Sequence, residues 1–168
     1  MPISPYLKSL RDDLGQRLLL LPGVSAVVFD DQGRILLAER ADNGRWALIA
    51  GVMDPGEQPA ETVVREVFEE TAVHVRPERI ISVLTQPPYT YPNGDRCEYV
   101  DISFRCRALG GEARVNDDES LSVAWYPLDA LPPLDDLTRH RIELALLPGE
   151  AAWFAPRPGA GPTPRPLA

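Results

Sequence analysis

Glutamates 57, 66, 69 and 70 and Arg65 fall within one short stretch, GVMDPGEQPAETVVREVFEETAV, at residues 51–73. On a helix, positions i, i+3 and i+4 project to neighbouring points of one side. Glu66, Glu69 and Glu70 therefore share a face, with Arg65 beside them and Glu57 just ahead. Carboxylates so placed repel one another, and like charges at i, i+4 mildly destabilise a helix. A solvated acidic face is the plain alternative, but only Arg65 lies near enough in sequence to balance the charge. The residue types and spacing specify one chemistry: oxygen ligands that hold divalent metals, magnesium or manganese, against a phosphate-rich substrate. Arg65 suits a different task, since a guanidinium between carboxylates fixes their orientation through paired hydrogen bonds. Its expected partner is Glu57, as an orienting group rather than a ligand.

The same stretch resembles the signature box of the Nudix hydrolases: a glycine, a glutamate, the run Arg-Glu-aliphatic-X-Glu-Glu, then a glycine and an aliphatic residue. Gly51, Glu57, Arg65, Glu66, Val67, Glu69, Glu70 and Val73 meet it. Ala72 stands where the family has glycine, which would cost about 1 kcal/mol if the backbone there is left-handed. Ile49-Ala50-Gly51-Val52 departs from the Leu-Pro-Gly-Gly of many relatives. The resemblance implies an α/β/α sandwich with a mixed β-sheet, and a hydrolase that cleaves the pyrophosphate of a nucleoside diphosphate linked to another group, such as ADP-ribose. It also implies that Glu66, Glu69 and Glu70 ligate magnesium or manganese, with the Gly51 carbonyl as a further ligand. Metals polarise the phosphoryl oxygens, and a water attacks phosphorus in line. Two general bases are in view: Glu69, and Glu119 in the acidic loop Asn116-Asp117-Asp118-Glu119. A triphosphate pyrophosphohydrolase that removes damaged nucleotides is an alternative. A nucleotide-sensing module without turnover is another, against which the complete set of glutamates counts.

Composition sets the frame for that site. At 168 residues the chain suits one domain with a continuous core. Its 44% hydrophobic and 25% charged residues are ordinary for a globular protein. A net charge of −8 argues against a non-specific nucleic-acid grip, which needs a basic surface. A polyphosphate substrate is still compatible, because metals rather than lysines supply the positive charge. No apolar run is long enough to span a bilayer and the first residues lack a signal-peptide layout, so a cytoplasmic location is expected. Cys97 and Cys106 lie at odd separation on one strand pattern, facing opposite sides, which disfavours a disulfide between them.

Several elements must position the site. Ser4 as N-cap, Pro5 at the first turn and Leu7, Leu10, Leu14 and Leu18 at helical spacing give an amphipathic helix, which packs on its own domain, walls the substrate or makes a homodimer contact. Residues 24–29 and 34–39 read as a hairpin around Asp30-Asp31-Gln32-Gly33. Residues 46–49 form a short strand leading to Gly51. A helix is expected over 59–71, with Val63, Val64, Val67 and Phe68 anchoring it to the core. Strands follow at 73–75 and 80–85, broken by Pro77, then at 99–107 and 121–126, and a helix closes the domain at 134–147. The domain thus runs over 1–147, and the Pro/Gly-rich residues 148–168 read as a flexible or extended tail whose beginning Trp153 and Phe154 anchor. The loop 86–96 carries Tyr89 and Tyr91, whose rings could stack on a base or ribose.

Overall fold

The computed structural model describes residues 4–154. Alternating β and α patterns resolve into a mixed sheet with a helix on each face. Its centre is β1 (Leu19–Phe29), which pairs parallel with β7 (Arg96–Gly110) and antiparallel with β4 (Ile49–Val52). β1 meets β2 (Ile35–Arg40) only at the hairpin end, Phe29 to Ile35. Beyond that point β2 turns away to pair with β3 (Trp46–Ala47) and β8 (Ser120–Tyr126). On the other side β7 pairs with β5 (His74–Thr85) and with β6 (Tyr89–Thr90), and β5 carries β9 (Trp153–Phe154) at the edge.

Side chains alternate across a strand, so β1 feeds two cores. Val24, Ala26 and Val28 join Val63 and Val67 of α2 (Pro59–Thr71). Val27 and Phe29 join Ile142 and Leu144 of α3 (Asp136–Leu146). Burial on both faces explains why β1 reads as a continuous apolar run. A third cluster, Leu19, Leu21 and Cys97, receives Leu7 and Leu10 of α1 (Pro5–Leu14). Ser4 caps α1 by accepting from the Leu7 N–H at 3.2 Å. No helix among the described residues is long and apolar enough to cross a membrane.

Several sequence expectations are corrected. β1 starts at Leu19 rather than Val24, because Pro22 and Gly23 are carried within the strand instead of turning the chain. Leu18 lies beyond α1, which Gly15 ends with φ 59°, and both Leu14 and Leu18 are exposed. Pro77 does not break β5: the strand runs through it with register shifts, the accommodation expected of a residue without an N–H. Phe68 is not a core anchor but is 40% exposed and stacked on His74. The strand expected at 46–49 is divided into β3 and β4. Within the stretch expected to be an extended tail, Trp153 and Phe154 pair with Ser82 and Val83; residues 155–168 lie outside the described residues. Cys97 and Cys106 are buried free thiols in different cores.

Candidate active site

The site is assembled where α2 crosses the end of β4. Pro59 opens the helix, and Glu61 accepts from the Gln58 N–H at 2.8 Å, satisfying one of the orphan donors of the first turn. Val63 and Val67 pin one side to the core, which fixes the rotation of the helix and turns Glu66 and Glu70 inward beside them. Their burial is nearly complete, 2% and 7% exposed. Glu69 remains exposed. Acidic residues in a last turn also oppose the helix dipole, and no basic residue offsets them there. A sequence that breaks a local rule twice in one turn marks a position kept for something other than stability.

Gly51 makes room for this burial. A Cβ there would stand 2.0 Å from the Glu66 carboxyl carbon and 2.1 Å from Oε1. The missing side chain of β4 is therefore the cradle in which the carboxylate lies. Across the gap, Arg65 collects the remaining acids. Its Nε and Nη2 donate to Glu57 Oε1 and Oε2 at 2.6 and 2.9 Å, and Nη1 donates to Glu66 Oε1 at 2.8 Å and Glu69 Oε2 at 3.0 Å. Glu57 is further held by the Asp54 N–H at 3.0 Å and the Thr62 hydroxyl at 2.8 Å. The orienting role expected of Arg65 and Glu57 thus has its geometry.

Electrostatics separates these acids. The guanidinium on Glu57 holds its pKa down at about 2. Burial pushes Glu66 up to about 7 although Arg65 pulls the other way. Glu70 is raised well above the usual carboxylate range by burial, then by the charges of Glu119 and Glu66. Glu119 is itself raised, by burial first. Inward carboxylates that cannot comfortably ionise together are what a hard cation relieves. The donor set fits such an ion, although among the described residues no three acidic, histidine or cysteine side chains are already gathered round one point. Glu69 in particular is turned to Arg65.

The acidic loop is fastened to the end of the helix. Asn116 Nδ2 donates to the Phe68 and Glu69 carbonyls at 3.1 and 3.2 Å, and the N–H groups of Asn116 and Arg114 donate to Glu70 and Thr71. These bonds satisfy the last carbonyls of α2. They also bring Glu119 to the boundary between two clefts of about 610 and 480 Å³. The larger takes in Glu70, Gly51 and Tyr91, and the smaller Glu57, Arg65, Glu66 and Glu69. Tyr91 bonds hydroxyl to hydroxyl with Tyr99 at 2.8 Å. Tyr89 stands edge-on to Tyr91, 47% exposed and away from both clefts. Sequence reading passed over Asn116 and Tyr99. An asparagine immediately before an acidic run was the only signal for the first; the position of Tyr99 on a strand two residues from Cys97 was the only one for the second.

The fold is an α/β sandwich with a mixed sheet, and its helix α2 crowds Glu66, Glu69 and Glu70 against the end of β4. The NUDIX domain family model matches residues 19–147, and the chain belongs to the Nudix family. It is 33% identical to an ADP-ribose pyrophosphatase of Methanocaldococcus jannaschii over 129 residues, 74% of this chain and 73% of that protein. It is 39% identical to an 8-oxo-dGDP phosphatase of Homo sapiens over 131 residues, 73% of this chain but 38% of the human protein's length. Among solved structures, an ADP-ribose pyrophosphatase from Streptococcus suis superposes with a TM-score of 0.63 at 25% identity, covering 80% of this chain and 98% of that one.

Proposed function

We propose that this protein hydrolyses the pyrophosphate linkage of nucleoside diphosphate derivatives. The observation that carries the reading is the Glu66 carboxylate seated on Gly51 with Glu70 buried beside Glu119, at the junction of two clefts. Nudix hydrolases generally need divalent metal ions. In this chain Glu66, Glu70, Glu69 and the Gly51 carbonyl would hold magnesium or manganese, which when bound neutralises phosphate charge and activates water. Glu66 and Glu70, which burial holds back from ionising, are both assigned to the cation, and the acid kept ionised, Glu57, is the one assigned to Arg65. Arg65 then holds Glu66 in orientation for as long as Glu57 holds Arg65.

Of the two bases considered, Glu119 is favoured. It borders both clefts and its pKa is raised by burial, which suits proton acceptance nearer neutrality. Glu69 lines only the smaller cleft and is assigned to the cation. The names of the relatives, ADP-ribose pyrophosphatase and 8-oxo-dGDP phosphatase, support diphosphate derivatives over triphosphates as substrates. Product analysis on ADP-ribose, nucleoside diphosphates and triphosphates tests this. Monophosphates from each half of a conjugate support the reading; pyrophosphate released from triphosphates alone would replace it with the triphosphate alternative. Tight nucleotide binding without turnover in saturating magnesium or manganese would make the chain a sensing module.

A further inference from the structure

One wall of the larger cleft carries a buried acid that the hydrolytic machinery does not use. Asp101 on β7 lines that cleft with its side chain only 3% exposed. It shares a strand face with Cys97 and Tyr99, which line the cleft too. Every bond recorded to it falls on one oxygen: Oδ2 accepts from the hydroxyls of Ser25 at 3.0 Å and Ser103 at 2.6 Å, and lies 2.7 Å from Arg141 Nη2. None of the recorded hydrogen bonds to Asp101 falls on Oδ1, and Oδ1 is not among the described side-chain atoms sealed from solvent without a partner, so it is open to the cleft. The Arg141 contact lacks hydrogen-bond alignment, since Nε and Nη2 remain without acceptors, so charge attraction holds it. This support fixes the carboxylate without using its second oxygen. A carboxylate oxygen held in place and left open to a cleft is a ready acceptor for a donor that enters there.

The surroundings restrict what can pair. The cleft is acidic: Asp42, Glu70, Asp95, Asp118 and Glu119 line it with Asp101. Its two arginines are engaged, Arg40 with Asp42 at 2.7 Å and Arg11 with the carbonyls of Gly15, Arg17 and Arg96. A second phosphate or a carboxylate is repelled here, whereas a neutral group bearing hydrogen-bond donors is attracted. In the sheet, Asp101 pairs with Gly23, and Gly23 with Val52, the residue after Gly51. Asp101 therefore lies two strand spacings, about 10 Å, across the sheet from Val52, its side chain on the face opposite the Gly51 cradle, while the same cleft reaches Gly51 and Glu70. Ribose hydroxyls, joined through a single methylene to the diphosphate, fall short of that span, while the far edge of a base attains it. Between the two ends Gly23 leaves bare backbone, bordered by the Tyr99 ring.

Resting on the hydrolase reading above, we infer that Asp101 is the base-reading residue, whose Oδ1 accepts a hydrogen bond from an exocyclic amino group of the substrate's nucleobase. Ser25, Ser103 and Arg141 position it. The bond is a charge-assisted contact made by a carboxylate that its neighbours already hold in place, so substrates lacking the amino group lose affinity.

The test compares kcat/KM for guanosine, adenosine and inosine diphosphates and their sugar conjugates, inosine being the base without the amino group. The wild type should favour the better amino-bearing base over inosine by at least about tenfold. Asp101→Asn should bring that ratio to within about twofold, through KM rather than kcat. A merely structural role would lower thermal stability and slow all bases alike. Gly23→Val fills the bare backbone on the same row and should erase the same preference; its Cβ meets nothing nearer than the Gly51 carbonyl at 3.5 Å, so it serves if Asp101→Asn does not fold. Equal wild-type rates on all three bases would overturn the inference while leaving the hydrolase reading intact. An unchanged ratio in a folded variant would overturn it as well. Hydrolysis of none of the panel would overturn both.

Discussion

Replacing Gly51 with alanine puts the central geometry to a quantitative trial. Gly51 does not have a positive φ, so alanine suits its backbone, and the whole perturbation falls on Glu66, three of whose atoms would lie within 2.0 to 2.5 Å of the new methyl. Retaining the carboxylate in place would overpack the site, at a cost of about 1–3 kcal/mol. Releasing it has an opposite sign in the metal-free protein. Burial holds the Glu66 pKa at about 7 against a usual 4.5, and each pKa unit corresponds to about 1.4 kcal/mol, so at pH 8 the buried charge costs about 3 kcal/mol that an expelled carboxylate recovers. The second effect matches or exceeds the first. Glu66 should therefore leave its cradle with little change in stability: in calorimetry with a chelator at pH 8, the melting temperature should move by less than about 5 °C. Turnover, in contrast, should fall by at least about 100-fold, because a ligand displaced by an ångström or more no longer positions the reaction. Wild-type kcat in Gly51→Ala would refute the reasoning, and so would loss of cooperative unfolding.

The same shifts set two pH trends. Between pH 4.5 and 7 the folded chain holds the Glu66 proton that the unfolded chain has lost, so metal-free stability should decline as pH rises through that window, and magnesium should raise the urea midpoint more at pH 8 than at pH 5. Glu57 has the opposite sign: its stabilisation, about 3 kcal/mol from a drop to about 2, should be present above pH 4.5 and lost as pH falls towards 2, and Glu57→Gln should remove that acid dependence. Asn116→Ala removes two bonds to the α2 carbonyls; denaturant unfolding should show a loss of about 1–2 kcal/mol, and kcat should fall about tenfold as the loop bearing Glu119 loosens. Arg65→Lys cannot reproduce the fork to Glu57, Glu66 and Glu69, so steady-state kinetics should show a lower kcat with the charge conserved.

The helix that carries the acids was legible to the residue, 59–71 against Pro59–Thr71, because Pro59, the glutamate in the first turn and valines at helical spacing all agree. What periodicity could not supply was the depth of the acidic face: the sequence groups Glu66, Glu69 and Glu70, but Glu66 lies in the cradle at Gly51, Glu70 is buried too, and Glu69 is left in solvent. Ala72 takes the left-handed conformation, φ 57° and ψ 20°, that the box glycine would take. The helix therefore ends as in relatives despite a strain of about 1 kcal/mol. The strand expected from residue 24 begins at Leu19, because pairing on two sides carries it through Pro22 and Gly23, whose local chemistry does not favour a strand. Alternation along β7 separates an apolar from a polar face but does not tell that Asp101 and Ser103 of the polar one are buried. Their cover is Arg141, forty residues or so along the chain, and such a long-range pair leaves no local pattern.

The most direct measurement is an anomalous difference map from crystals soaked in manganese. The account predicts density at about 2.0–2.3 Å from carboxylate oxygens of both Glu66 and Glu70, beside the Gly51 carbonyl, with Glu69 swung in from Arg65. Manganese bound elsewhere, with Glu66 and Glu70 bare of any ion, would contradict it.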